Sequence, residues 1–138
     1  IFRMFNIYGP GQDLSNLRQG MVSIYLAQAI KNRKIMVKGS LNRIRDFVYI
    51  DDVVDIWVKS INKNIKNETI NISSGIPVSV KNLLESIKIL IPKKKIIKAS
   101  STRGDQFRSV GDSKKLKKIF SHKFTPLKKG LEKFIKSI

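Results

Sequence analysis

Four polar or charged residues stand where the chain could bind an anion. Asn6 lies at the end of an apolar strand pattern, just before a Gly-Pro-Gly turn. Arg45 begins a second apolar run, and a guanidinium there can hold a diphosphate through two parallel hydrogen bonds. Arg103 and Asp105 flank Gly104, which suits a phosphate on one side and a sugar hydroxyl on the other. Each segment alone is at least as compatible with a structural role.

The residues needed for several other chemistries are missing from the sequence. His122 is the only histidine and there is no cysteine, which excludes a multi-histidine metal site and a thiolate nucleophile. No Gly-x-Gly-x-x-Gly or Gly-Lys-Ser/Thr loop occurs, so the chain lacks the usual cradle for a dinucleotide or triphosphate. The aspartates at 51, 52 and 55 fit the capped first turn of a helix better than acid/base work. We therefore expect no catalytic residue and no metal ligand.

The elements that must position these residues alternate between strand-like and helical patterns, which favours an α/β fold. The predicted strands are 2–8, 35–38, 46–50 and 69–73. One helix is predicted at 22–30, and a second begins after an N-cap at Asp51 or Asp52. Three more are predicted to begin after Ser79, after Asp112, and after Thr125 and Pro126. For the second of these helices the spacing places an inward stripe at Val53, Ile56, Trp57, Ser60 and Ile61.

Composition narrows the possible partners. No apolar run is long enough to cross a bilayer, and the absence of cysteine fits a reducing cytoplasm. The formal charge is +18, and residues 93–138 hold 15 Lys/Arg against three Asp/Glu. Most of these lysines lie opposite apolar helix stripes, which favours solvated helix faces over a nucleic-acid footprint. A basic nucleic-acid-binding or interaction module is kept as an alternative from another functional class.

The order of four blocks resembles one family. Residues 3–10 read Arg-Met-Phe-Asn-Ile-Tyr-Gly-Pro, similar to Arg-Tyr-Phe-Asn-x-Tyr-Gly-Pro of the NAD-dependent epimerase/dehydratases, the extended short-chain dehydrogenase/reductases. Residues 45–53 resemble that family's Arg-Asp-Phe-x-Tyr-Val-Asp-Asp-Val, and residues 69–75 its Tyr-Asn-Ile-Gly-x-Gly. Residues 103–115 resemble its final Arg-x-Gly-Asp and Asp-x-x-Lys pattern. UDP-glucose 4-epimerase-like members are the most similar.

The resemblance implies a fold and a division of the chain. It identifies the C-terminal substrate-binding part of an extended short-chain dehydrogenase/reductase, including a last strand of the Rossmann sheet. Residues 1–12 would form the terminal Rossmann strand and turn, and residues 13–138 the sugar-nucleotide-binding domain. The opening at Ile1 inside a strand pattern agrees with a fragment of a longer enzyme, whose parent would be a homodimer.

The resemblance also implies ligand contacts. Asn6, Arg45 and Arg103 would bind the diphosphate of a nucleotide sugar, and Asp105 would reach a ribose hydroxyl. The main chain near Met36 and Val37 would face the nucleobase. Toward the cofactor, the backbone around Met4 and Phe5 would lie against the nicotinamide of NAD.

Two departures from the family pattern affect these roles. The family's Gly-Asp-Gly after the strand at Ile35 is replaced by Gly-Ser-Leu-Asn at residues 39–42. Arg103 directly precedes Gly104, without the usual intervening residue, so its register differs.

The catalytic Tyr-x-x-x-Lys pair of the family is absent from the chain. The residues four positions after Tyr8, Tyr25 and Tyr49 are Gln12, Ala29 and Val53. We expect the parent to be an NAD-dependent nucleotide-sugar epimerase, with a dehydratase or decarboxylase as the alternatives, and the chain by itself to be inactive.

Overall fold

Short strands alternate with helices along the chain, which confirms the predicted α/β class. The computed structural model describes residues 1–18, 20–100 and 104–138. Within these ranges the strands are β1 Phe2–Met4, β2 Ile7–Tyr8, β3 Lys34–Lys38, β4 Ile44–Arg45, β5 Val48–Tyr49, β6 Ile70–Ile72, β7 Val78–Ser79, β8 Lys95–Ala99 and β9 Arg108–Ser109. The helices are α1 Met21–Lys31, α2 Ile50–Ile61, α3 Val80–Leu90, α4 Lys114–Ile119 and α5 Leu127–Lys136.

Most strand pairs are parallel. β1 pairs with β6, β2 with β5 and β3 with β8, all in parallel. β4 lies between antiparallel β7 and parallel β9. The connection between the two strands of each parallel pair contains at least one helix, which is usual for parallel strands. Residues 1–12 therefore pair with strands of the following segment, and a domain division after residue 12 stays a prediction.

The predicted single strand over 2–8 is wrong, because the chain turns at Asn6. Asn6 has a φ of 33° and its side-chain amide donates to the carbonyl oxygen of Asp46 at 3.1 Å. Asparagine tolerates positive φ better than most residues, so it allows this break. β1 and β2 consequently pair with different strands.

The predicted strand over 46–50 is also divided. β4 ends at Arg45, β5 begins at Val48, and Ile50 already belongs to α2. The side chains along this segment still alternate between two sides, with Phe47 and Tyr49 in one apolar cluster and Val48 in another. The alternation of side chains therefore continues where the hydrogen-bonded ladder is interrupted.

Two apolar clusters hold the helices against the strands. The larger one joins α1, α3 and α5 with β3 and β5, and the smaller one joins α2, α4, β5 and β6. The fully buried members of the larger cluster include Leu26, Ala29, Ile35, Val37, Leu83, Leu84, Ile87 and Leu131, and those of the smaller one Ile56, Ile72 and Leu116. None of the helices within the described ranges is long and apolar enough to span a bilayer.

Helix α2 differs from the prediction at its start and on its outer side. It begins at Ile50 without a side-chain cap, so neither Asp51 nor Asp52 is its N-cap. Val53 and Ile56 are buried as expected, but Trp57 is 49% exposed and Ile61 79% exposed. Trp57 lies at the edge of the buried stripe, where its ring stacks on Phe2 with the centroids 6.3 Å apart.

The predicted cap of α3 is confirmed. The hydroxyl of Ser79 accepts a hydrogen bond from the backbone N–H of Asn82 at 3.0 Å. This satisfies one of the free amides in the first turn of the helix.

Gly130 in α5 provides a test of this packing. A Cβ at this position would lie 2.1 Å from the hydroxyl oxygen of Tyr8, a side chain that is 1% exposed. Replacing glycine with alanine inside a helix normally stabilises by about 1 kcal/mol. Here we expect Gly130→Ala to destabilise by about 1–3 kcal/mol, the usual cost of overpacking. Urea unfolding measures the change, with Lys129→Ala on the exposed side of α5 as the control, and a stabilised Gly130→Ala would contradict the packing.

Candidate functional site

Two buried guanidinium groups share one carboxylate beside β4. Arg43 contacts Oδ2 of Asp105, and Nη2 of Arg45 lies 3.3 Å from Oδ1 of the same carboxylate. The side chains of Arg43, Arg45 and Asp105 are 8%, 9% and 20% exposed, so solvent screens these charges only in part. With two cations and one anion, the cluster keeps a formal charge of +1 and favours a further anion.

Arg45 is held by the loop that leads into β9. Its Nη2 donates to the carbonyl of Gln106 at 2.7 Å and its Nη1 to the carbonyl of Ile44 at 2.9 Å. The parallel pairing of β4 with β9 brings this loop beside the arginine. The structure thus brings together the predicted residues Arg45 and Asp105.

Arg43 is a site residue that our sequence reasoning missed. Its Nε donates to the carbonyl of Ser40 at 2.9 Å, and its Nη2 donates to the carbonyl of Lys38. A signal was present, because residues two apart on a strand point to the same side. The spacing of Arg43 and Arg45 in Arg-Ile-Arg is of this kind, although Arg43 itself precedes the hydrogen-bonded part of β4.

A cavity of about 440 Å³ opens beside Arg43. Its lining includes Tyr25 and Gln28 of α1 and Met36 and Lys38 of β3. The Oε1 of Gln28 accepts a hydrogen bond from the backbone N–H of Met36 at 2.6 Å, which joins the two walls. The cavity thus combines cationic groups with the apolar surface on which a flat ring could pack.

The two residues predicted to face a nucleobase differ in position. Met36 is 45% exposed and lines the cavity, whereas the side chain of Val37 is fully buried in the core. This follows from the alternation along β3, in which successive side chains point to opposite sides.

Asn6 and Phe5 make contacts other than with the arginine pair. Among the described contacts, the side-chain bond of Asn6 goes to the carbonyl of Asp46 and not to the arginine pair. Met4 is 51% exposed, and Phe5 is half-buried against Gly111, where a Cβ would lie 3.0 Å from its ring. Arg103, the remaining predicted diphosphate ligand, lies outside the described residues.

Asp46 links the site to the loops around it. Its fully buried carboxylate accepts hydrogen bonds from the backbone and hydroxyl of Ser74 at 3.0 and 2.6 Å, and from the N–H groups of Gly75 at 2.9 Å and Gly111 at 3.4 Å. Because Asp46 directly follows Arg45, these bonds also fix the end of β4. These contacts give the carboxylate of Asp46 a structural role.

His122 forms a second polar cluster away from the arginines. Its Nδ1 lies 2.9 Å from Asp55 and its Nε2 lies 3.2 Å from Asp52, which also accepts the backbone N–H and the hydroxyl of Thr125. These bonds connect α2 to the start of α5, so the cluster has a structural role. In the described part of the chain no group of three or more His, Cys, Asp or Glu is placed to hold a metal ion.

Each tyrosine has its pKa raised, chiefly by burial. At Tyr8 the nearby charge of Asp52 adds to this effect, and at Tyr49 that of Asp51. At Tyr25 the guanidinium of Arg43 opposes the rise without cancelling it. A tyrosine that acts as a base needs the opposite shift, so none of the three is suited to that role.

Comparison with known proteins shows the family to which the chain belongs. The family described as "NAD dependent epimerase/dehydratase family" matches residues 1–73, slightly more than half of the chain. The chain belongs to this family. Its α/β structure with parallel strands is that of the extended short-chain dehydrogenase/reductases, as the resemblance implied.

Individual relatives within the family differ in activity. A GDP-6-deoxy-D-talose 4-dehydrogenase of Aggregatibacter actinomycetemcomitans is 32% identical over 99% of the chain and 47% of its own length. A putative UDP-glucose 4-epimerase of Methanocaldococcus jannaschii is 32% identical over 98% of the chain and 44% of its own length. The chain therefore spans less than half the length of these relatives.

A solved structure confirms the fold. The crystal structure of UDP-glucose 4-epimerase with UDP-glucose from Thermotoga maritima superposes with a TM-score of 0.90 at 28% identity. The superposition covers 99% of this chain and 44% of that chain.

The buried carboxylate of Asp46 can be tested directly. In Asp46→Asn an amide group replaces one acceptor oxygen and meets N–H donors, and each buried donor left without a partner costs about 1–3 kcal/mol. We expect a loss of at least that size in the free energy of unfolding, measured with urea. Asp13→Asn is the matched control, because Asp13 is exposed and its carboxylate accepts hydrogen bonds from the backbone and hydroxyl of the nearby Ser15. Equal effects of the two substitutions would show that Asp46 does not anchor the loops.

Proposed function

We propose that the chain binds a nucleotide-diphosphate sugar and supplies the substrate side of an NAD-dependent sugar epimerase, most like UDP-glucose 4-epimerase. The observations that carry this proposal are the contacts of Arg43 and Arg45 with one carboxylate, that of Asp105, and the place of Arg43 in the lining of the 440 Å³ cavity. A diphosphate next to the arginines would neutralise the excess charge of the cluster. The attached nucleoside would then extend toward Met36.

Each predicted residue has a place in this proposal. Arg45 binds the diphosphate together with Arg103 and Asn6, and Asp105 accepts a hydrogen bond from a ribose hydroxyl. The main chain at Met36 and Val37 faces the base. Asn6 would have to exchange its bond to Asp46 for one to the ligand, since its amide is engaged in the present structure.

NAD would supply the hydride acceptor of the reaction when bound. This chain's contribution to it would be small, because the sequence has no glycine-rich loop for the pyrophosphate. The exposed side chain of Met4 and the half-buried ring of Phe5 fit an apolar contact with a nicotinamide. The remaining contacts with the cofactor would come from other parts of the enzyme.

Two alternatives are distinguishable by experiment. A dehydratase or decarboxylase of the same family would share the diphosphate site and differ in the product formed from the sugar. A basic nucleic-acid-binding module would instead lose affinity steeply with salt and depend on the lysines after Pro92. The buried arginine pair favours a small anion, because the two guanidinium groups lie inside the fold and not on an open face.

Substitution of Arg45 tests the diphosphate site. Arg45→Lys keeps the charge but removes the fork that holds two oxygens at once. We expect the affinity for UDP to fall about 10- to 100-fold, as for the loss of a charge-assisted hydrogen bond of about 1.5–3 kcal/mol. Isothermal titration calorimetry measures the change, and circular dichroism checks that the variant is folded. Lys129→Ala should bind UDP like the unaltered chain, and an unchanged affinity in Arg45→Lys would refute the assignment.

The chain alone should not convert substrate. It lacks a Tyr-x-x-x-Lys pair, and burial keeps the pKa of its tyrosines above the ordinary value. With UDP-glucose and NAD we expect the chain to bind the sugar nucleotide and to form no UDP-galactose. Chromatography of the reaction mixture measures the UDP-galactose. Turnover that copurifies with the chain and disappears in Arg45→Lys would overturn this prediction.

A further inference from the structure

One edge of β3 lies along the 440 Å³ cavity. The other edge faces β8, because the carbonyl of Arg33 just before β3 accepts a hydrogen bond from the N–H of Lys95 at 2.9 Å. Successive residues of a strand direct their main-chain groups to opposite edges, so those of Val37 also face β8. The main-chain groups of Met36 and Lys38 therefore face away from β8, and both residues line the cavity.

Hydrogen bonds hold this edge of β3 at two points. The N–H of Met36 donates to Oε1 of Gln28 at 2.6 Å, and the carbonyl of Lys38 accepts from Nη2 of Arg43. Between these two bonds lie the carbonyl of Met36 and the N–H of Lys38, to which the described contacts give no partner. A ligand that displaces water from this edge must replace the hydrogen bonds of both groups.

Gln28 adds a donor beside them. Its carbonyl oxygen is used by Met36, which fixes the orientation of the side-chain amide. Its Nε2 carries two N–H donors, and no contact within the described ranges uses them. Gln28 is half-buried and lines the same cavity. The wall thus offers a donor on Gln28, an acceptor on Met36 and a donor on Lys38.

Uracil and thymine have the complementary order of groups. Each presents an acceptor, a donor and an acceptor on its O2, N3–H and O4. Cytosine presents two acceptors and a donor, guanine two donors and an acceptor, and adenine only one donor and one acceptor. These three bases would leave at least one group of the wall against a like group or without a partner, which costs more than a hydrogen bond contributes.

We infer that Gln28 is a specificity-determining residue, whose side-chain amide donates to a carbonyl oxygen of uracil or thymine and selects against cytosine and guanine. This inference rests on the proposed function, since it takes the base to lie at the edge of β3. It narrows the substrate to a uridine or thymidine diphosphate sugar. Membership of the family does not decide the base, because the two relatives described above are named for a GDP-sugar and a UDP-sugar.

A comparison of UDP, CDP and GDP tests the wall without any substitution. We expect CDP and GDP to bind the 138-residue chain about 10- to 100-fold more weakly than UDP, the cost of one unsatisfied hydrogen-bonding group. Isothermal titration calorimetry measures the three affinities. The ribose diphosphate is the same in all three ligands, so its contribution cancels in the ratios. CDP also matches UDP in size, so a difference between these two reports hydrogen bonding.

Gln28→Glu should shift the preference toward guanine. The new carboxylate still accepts the N–H of Met36, but it offers an acceptor where the amide offers donors, which suits the amino group of guanine. We expect the UDP/GDP affinity ratio to fall about tenfold. Asn32→Asp is the matched control, because it adds the same negative charge at the end of α1 and Asn32 does not line this cavity. The control should leave the ratio unchanged.

The outcomes separate the inference from the proposed function. If none of the three nucleotides binds, the proposed function falls and the inference with it. If UDP binds and CDP or GDP binds as tightly, the inference alone is overturned. It is also overturned if Gln28→Glu leaves the UDP/GDP ratio unchanged or if Asn32→Asp lowers it equally.

A second variant keeps the test decisive if circular dichroism shows that Gln28→Glu does not fold. Gln28→Met removes the donors, and the remaining acceptor and donor of β3 fit either pyrimidine. We expect the UDP/CDP ratio to fall toward one. An unchanged ratio would show that Gln28 only joins α1 to β3, and would overturn the inference.

Discussion

The buried carboxylate of Asp46 organises the loops on which the candidate site depends. It accepts backbone N–H groups from the segment after β6 and from the segment after β9. A buried charge is tolerated only when its hydrogen-bonding capacity is satisfied, so these loops cannot move away separately without a large cost. Arg45 precedes this anchor by one residue. Its direction toward Asp105 and Gln106 is therefore fixed by the same bonds.

The elements were predicted from the sequence more accurately than their connections. Ser79 caps α3, and Ile35 and Val37 are buried on one side of β3, because local patterns determine both features. The break at Asn6 was missed, and the side-chain bond that accompanies its positive φ goes to the carbonyl of Asp46, forty residues away. The first turn of α2 was misjudged for a similar reason: Asp52 bonds to Thr125 and His122 instead of capping its own helix. Long-range partners of polar side chains leave no periodic signal in the sequence.

The residues of the candidate site also differ in how far the sequence predicted them. Arg45 and Asp105 were identified through their resemblance to family blocks, and the structure brings them together. Arg43 lies between the family blocks, directly after residues 39–42 where the chain departs from the family pattern, so the resemblance predicted no role for it. Its importance becomes visible only when the turn at Gly39 places it against Asp105.

The position of the site follows from how the two apolar clusters meet. Phe47 and Tyr49 belong to the larger cluster, Val48 belongs to the smaller one, and Ile50 packs against both. The segment 44–50 is thus a seam whose alternating side chains are held on both sides. Polar groups at the start of such a seam are held by two cores at once and need little reorganisation to meet a ligand. Arg45 lies at that start, so its side chain leaves a backbone that is held firmly although the strand itself has only two residues.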